Sequence, residues 1–310
     1  MPLRTSILKV LAYFDLFNYP VTTEEIRFFL DKDVRESDLQ AGLEALIHER
    51  ILFRLEGFFA LREEPKMVER RLKGNKHADE LLKIAAKGSR LLFQFPFVRA
   101  VGISGSLSKH YADEHADIDY FIITRSNRLW IARTFMHLFK KLSYLAGRQH
   151  WYCMNYYVDE EALEIEEKNI FTATELITLL PACGNGSLTK FFDANDWVTN
   201  YLPHYRDRQR QAIANTRPGM IKRALEWLFD NKAGDRLDDY LRRLTTRRWQ
   251  KKEEEGRLTD KGLRMSLKNS RHYSRPNPEM MQKKILTGFR KKLQDIDKLR
   301  SAPHHNSHRS

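Results

Sequence analysis

Three short runs rich in β-branched and aromatic residues constrain this chain most: Val98–Ile103, Ile118–Thr124 and Trp151–Val158. Each has strand length and is too short for a buried helix. Leu107–Tyr111, between the first two, reads as a short helix. Ser126 is placed to cap a long helix with Trp130, Phe135, Leu138, Phe139, Leu142 and Leu145 inward, and Gly147 ends it. Strand–helix–strand–helix–strand specifies a small α/β (α+β) unit, a mixed sheet with flanking helices.

Residues 5–62 show a different pattern. Ile7, Val10, Leu11 and Phe14 share one helical face, and Asn18-Tyr19-Pro20 stops that helix. Thr22 with Glu25 is a capping box opening a helix that buries Ile26, Phe29 and Leu30. Ser37 with Gln40 is a second, before Leu39, Leu43, Leu46 and Ile47. Ile51–Leu55 and Phe58–Leu61 then form strands about a Glu56-Gly57 turn. Three helices followed by a β-wing specify a winged helix-turn-helix.

Beyond residue 170 the pattern is helical: Thr172–Leu180, Met220–Asn231, Asp235–Gln250 and Pro278–Leu299, with a loop at Ala182–Gly186 and an exposed charged stretch at Lys251–Arg257. The expected organisation is a winged helix at 1–64, a connecting helix at 65–96, the α/β core at 97–170, a basic helical C-terminal domain at 171–300 and a disordered tail at 301–310.

Charge and cysteine content exclude several classes. The net charge of +13 is uneven: residues 1–62 sum to −2, residues 63–203 to zero and residues 204–310 to +15. The last third therefore calls for an anionic partner, a nucleotide, RNA or an acidic surface. No run approaches the about 20 apolar residues of a membrane helix. Leu3–Leu16 carries Arg4, Lys9 and Asp15 and reads as no signal peptide. Cys153 and Cys183 cannot build a disulfide framework or a cysteine zinc site, so a cytoplasmic location is expected.

The chemistry-bearing segment is Ser104-Gly105-Ser106 followed, eleven positions past Ser106, by Asp117-Ile118-Asp119. Strand alternation puts Asp117 and Asp119 on one face, where their charges repel unless a cation lies between them. A hard ion such as Mg²⁺ takes those oxygens together with phosphate oxygens. The Gly105 backbone allows a triphosphate to approach closely, Ser106 can bind it, and Lys109 lies one helical turn on, where its ammonium can neutralise phosphate.

These residues resemble the nucleotidyltransferase fold of the DNA polymerase beta superfamily, whose pattern is an apolar residue, Gly, Gly or Ser, then roughly ten residues and Asp-x-Asp/Glu. The resemblance covers about residues 97–160. It implies that Asp117 and Asp119 hold Mg²⁺ (or Mn²⁺), that Gly105 and Ser106 hold the nucleotide phosphates, and that an NMP moves from an NTP to an acceptor hydroxyl. The family carries a third carboxylate on the following strand. Asn155 occupies that slot here and cannot act as a base, whereas Asp159 stands at the strand's end and Glu164 and Glu166 follow it.

The expected function is thus a Mg-dependent nucleotidyltransferase whose acceptor is RNA, a protein or a small molecule. Two alternatives stand beside it: a catalytically weak nucleotide sensor, which Asn155 favours, and an RNA-binding protein acting through the basic last third. Glu36, Asp38, Glu44 and Glu49 make the third helix acidic, so DNA is disfavoured as partner of the N-terminal domain.

Overall fold

A computed structural model of the chain describes residues 2–145, 147, 149–209, 215–258, 266–276 and 279–301. The chain divides into two compact units, one of Met1–Leu72, Asn200–His204 and Glu279–Ser310, the other of Lys73–Thr199 and Tyr205–Pro278.

The first unit opens with α1 (Leu3–Asp15), which buries Ile7, Val10, Leu11 and Phe14. In α2 (Thr23–Phe28) the capping box is formed: the Thr22 side chain accepts from the Glu25 N–H, and Glu25 accepts from the Thr22 N–H. The second expected box is not formed, because α3 (Glu36–His48) begins two residues earlier, with Arg35 at the N-cap and paired to Asp38. Its buried face is Leu39, Leu43 and Leu46, each worth roughly 1.5–3 kcal/mol of burial. Strands β1 (Phe53–Leu55) and β2 (Phe58–Ala60) pair antiparallel. Glu56 and Gly57 both have positive φ, as a tight hairpin of this twist requires. Then α4 (Lys66–Phe93) begins. Its Arg71 is buried between the Tyr19 and Phe58 rings and donates to both carboxylate oxygens of Glu25, at 2.7 and 2.8 Å.

In the second unit, α4 contributes Ala78, Leu81, Ala85, Leu92 and Phe93 to the core. There follow β3 (Val98–Ser104), a 3-10 turn at Leu107–Lys109, β4 (Asp119–Thr124), α5 (Leu129–Leu145) and β5 (Cys153–Asp159). Next come α6 (Ile170–Thr178), β6 (Leu180–Gly184), α7 (Ser187–Ala194), α8 (Tyr205–Gln209), α9 (Met220–Phe229), α10 (Lys232–Glu254), β7 (Leu267–Asn269) and β8 (Tyr273–Pro276). The six-stranded sheet runs β6-β3-β4-β5-β8-β7. Only the β4–β5 pair is parallel, joined by the α5 crossover, and the other pairs are antiparallel. Asp238 on α10 accepts from the Ile131 N–H in the first turn of α5, and burial pushes its carboxyl up to about 6. Lys222 on α9, also buried, donates to the Phe93 and Val98 carbonyls at 2.7 and 2.5 Å. The chain then returns to the first unit as α11 (Glu279–Ser301), which packs on α1: Tyr13 and Phe289 meet edge to face at 5.8 Å.

Several expectations are corrected. Residues 171–300 are not wholly helical: β6 replaces part of the expected loop at 182–186, and β7 and β8 join the sheet beside β5. These strands are three to five residues long and carry Pro181, Gly184 and Pro276, so they show no alternation to read. Ser126 does not cap α5, which starts at Leu129 after a turn with Asn127 at positive φ. Leu138, Leu142 and Leu145 are exposed rather than inward. Leu138 lines the groove between α5 and α10, and Leu142 and Leu145 lie in the last turns of the helix. The expected tail lies outside the described residues beyond Ser301. Among the described residues no helix is long and apolar enough to cross a membrane.

Candidate functional site

Where β3 ends, the chain turns at Gly105 with φ +73°, a conformation that disfavours any residue with a side chain. A Cβ here would lie 2.6 Å from Oδ2 of Asp119, so a side chain at this position would displace that carboxylate. The antiparallel register pairs Ser104 with Asp119 and so brings the turn against that carboxylate. The Ser104 hydroxyl donates to the Asp119 carbonyl at 3.4 Å, and Ser108 Oγ donates to the Gly105 carbonyl at 2.8 Å, fixing the turn from both sides.

Asp117 precedes β4, yet its segment is already tied to the chain entering β5. The Ile118 N–H donates to the His150 carbonyl at 2.9 Å, and the Cys153 N–H donates to the Ile118 carbonyl at 3.1 Å. Ile118 is buried, and the two aspartates flank it on the partly open side. Asp117 Oδ1 lies 2.7 Å from His150 Nδ1. Cys153 stands opposite Asp119 in the parallel register. Burial first, then the Asp119 charge, pushes its thiol up to about 12; the neutral S–H hydrogen-bonds to that carboxylate.

The remaining expected residues divide. Ser106 is exposed at the turn. Lys109 Nζ donates to Glu175 Oε1 at 2.8 Å and to the Gly105 carbonyl at 3.1 Å, so it braces the turn from α6. Asn155 lies in β5 where the pairing skips from Tyr120–Met154 to Phe121–Tyr156, a bulge close to the aspartates; its side chain lies outside the described residues. Asp159 is not at the site. It pairs with Thr124, five strand positions from Asp119 and about 17 Å away. There it is fully buried and accepts from the Asn127 and Glu161 N–H groups, with His272 Nδ1 at 2.9 Å. Glu164 and Glu166 follow that same end of β5. Asn195 is a buried staple bonded to Ile165, Leu163 and Phe191, and Trp197 Nε1 donates to it at 3.1 Å.

Two carboxylates side by side, one held by a histidine and one by a thiol, offer hard oxygen donors. Mg²⁺ commonly takes one or two protein carboxylates and completes its shell with water and phosphate, so Asp117 and Asp119 fit it. Among the described residues no group of three or more His, Cys, Asp and Glu side chains forms a metal cluster. Comparison of the chain with family models, curated proteins and solved structures found no match. His150, Cys153 and Glu175 were not read from the sequence. Only the parallel β4–β5 pairing reveals the first two, because it sets the residues entering β5 beside the start of β4.

Proposed function

We propose that the β3–β4 corner is the active site of a Mg-dependent nucleotidyltransferase. The observation that carries the reading is Gly105, whose positive φ favours glycine and whose missing side chain leaves the Asp119 carboxylate undisturbed. Such a turn leaves backbone open to a bulky anion directly beside two carboxylates. Asp117 and Asp119 hold the ion, which when bound stabilises charge on the transferring phosphoryl and the leaving pyrophosphate. Gly105 and Ser106 position the triphosphate. Lys109 holds the turn against α6 rather than meeting phosphate. The acceptor oxygen attacks the α-phosphorus, the bond to the bridging oxygen breaks, pyrophosphate leaves, and the hydroxyl proton passes to water.

The first unit's three helices and hairpin support a winged helix that docks protein, since residues 1–62 sum to −2. A nucleotide-sensing role without turnover is the second reading. The uncharged Asn155 in the third-strand slot favours it.

Incubation with each labelled NTP and Mg²⁺ tests the proposal. Pyrophosphate release that disappears in Asp117→Asn and Asp119→Asn is expected. Mg-dependent NTP binding without release would favour the sensor. Absence of binding would overturn both.

A further inference from the structure

Helices α5 and α10 flank an open groove of about 570 Å³, which shares no residue with the β3–β4 corner. That volume suits a small ligand. Arg133, His137 and Lys141 recur every four residues along α5 and so share one face. Arg248, Lys251 and Lys252 of α10, with Arg257 beyond it, line the other side. Six cations thus surround a single carboxylate, Glu255, already engaged by Arg257 at 2.7 Å and Lys251 at 3.9 Å.

Two side chains of this lining have buried polar atoms left over. Arg133 is 7 % exposed, and its Nε has no hydrogen-bond partner among the described residues. Its guanidinium lies over the Trp130 and Tyr157 rings at 5.5 and 5.9 Å. The Nε2 atom of half-buried His137 is likewise buried with no partner among the described residues. Leaving a buried guanidinium nitrogen unpaired is costly, and an anion offsets the cost. Trp249 also lines the groove, with Lys252 Nζ over one face of its ring, 5.0 Å from the centre.

We propose that this groove binds a small phosphate-bearing ligand of nucleotide size, its phosphates on Arg133, Arg248 and Lys252 and its ring against Trp249. The buried, unpartnered Arg133 Nε sits at one spot in the groove, which favours a compact ligand over an extended strand. The site is independent of the metal corner and needs no divalent ion.

The test is calorimetric titration of ATP into the full chain carrying Asp117→Asn, in EDTA, so that its failure is distinct from failure of the nucleotidyltransferase reading. ATP is expected to bind within about twofold of wild type under the same conditions. Arg248→Gln with Lys252→Gln, half-buried or exposed positions that leave the fold intact, is expected to weaken it at least tenfold, about 1.4 kcal/mol. No ATP binding at millimolar concentration would overturn the proposal, as would binding indifferent to the double substitution. Single-stranded RNA binding tenfold more tightly than ATP would overturn it in favour of a nucleic acid.

Discussion

The β3–β4 corner and the α5–α10 groove both gather charged side chains, but they treat them oppositely. At the corner Asp119 meets the Cys153 thiol, Asp117 meets His150, and Lys109 meets Glu175. In the groove Arg133 and His137 each have a buried nitrogen with no partner among the described residues. Strand register sets Asp119 against Cys153, and the turns at the ends of β3 and β4 bring the other two pairs to close range. Facing helices bring together whole stripes, and here both stripes are positive. The corner's side chains are already paired with one another, whereas the groove leaves two buried nitrogens unpaired among the described residues.

The largest expected effect tests the corner. Gly105→Ala forces a Cβ to within 2.6 Å of Asp119 Oδ2 in a left-handed turn. It should cost about 2–3 kcal/mol in denaturant unfolding and abolish Mg-NTP binding together. A neutral outcome would mean that the turn does not hold the carboxylate.

Acid probes the groove. Burial, reinforced by Arg133, Lys140, Lys141 and Lys252, holds His137 down at about 3, against 6.5 when unfolded. Between those values the unfolded chain binds more protons, so this contribution is complete above about pH 6.5 and is lost as pH falls toward 3. His137→Leu should flatten that part of the stability–pH curve by up to about 3 kcal/mol. An unchanged curve would show that the imidazole is not desolvated.

Smaller effects sharpen the contrast. Lys109→Met removes a half-buried pair and should cost about 1 kcal/mol while changing Mg-NTP affinity less than about twofold. A large loss of affinity in a calorimetric titration would return Lys109 to the phosphates. Arg133→Met should change unfolding free energy by less than about 1 kcal/mol, because an apolar chain replaces an imperfectly paired buried charge. A severe loss would show that Arg133 is already satisfied.

The two sites also differ in how much the sequence discloses. Asp117 and Asp119 are legible because they stand two apart in one short segment entering β4, and Gly105 because glycine suits its turn best. His150 and Cys153 are illegible alone, since their roles come from parallel pairing across the α5 crossover. Asp159 is legible as the end of β5, but only the parallel pairing shows that this end lies away from the aspartates. The groove joins residues 133–141 to residues 245–257, so no local pattern announces it. In the first unit the Thr22–Glu25 box was readable because both bonds are local. Ser37–Gln40 had the same pattern, but Arg35 took the cap.

The central claim is that Asp117 and Asp119 exist to hold a metal-bound nucleotide rather than to support the fold. Melting temperature with and without millimolar Mg-NTP, in wild type and Asp117→Asn, tests it most directly. Removing one of two repelling charges should leave the ligand-free protein as stable as before or slightly more so, and should erase the rise that Mg-NTP gives the wild type. A ligand-free Asp117→Asn that melts well below wild type, with no Mg-NTP-dependent rise in wild type, would contradict the account.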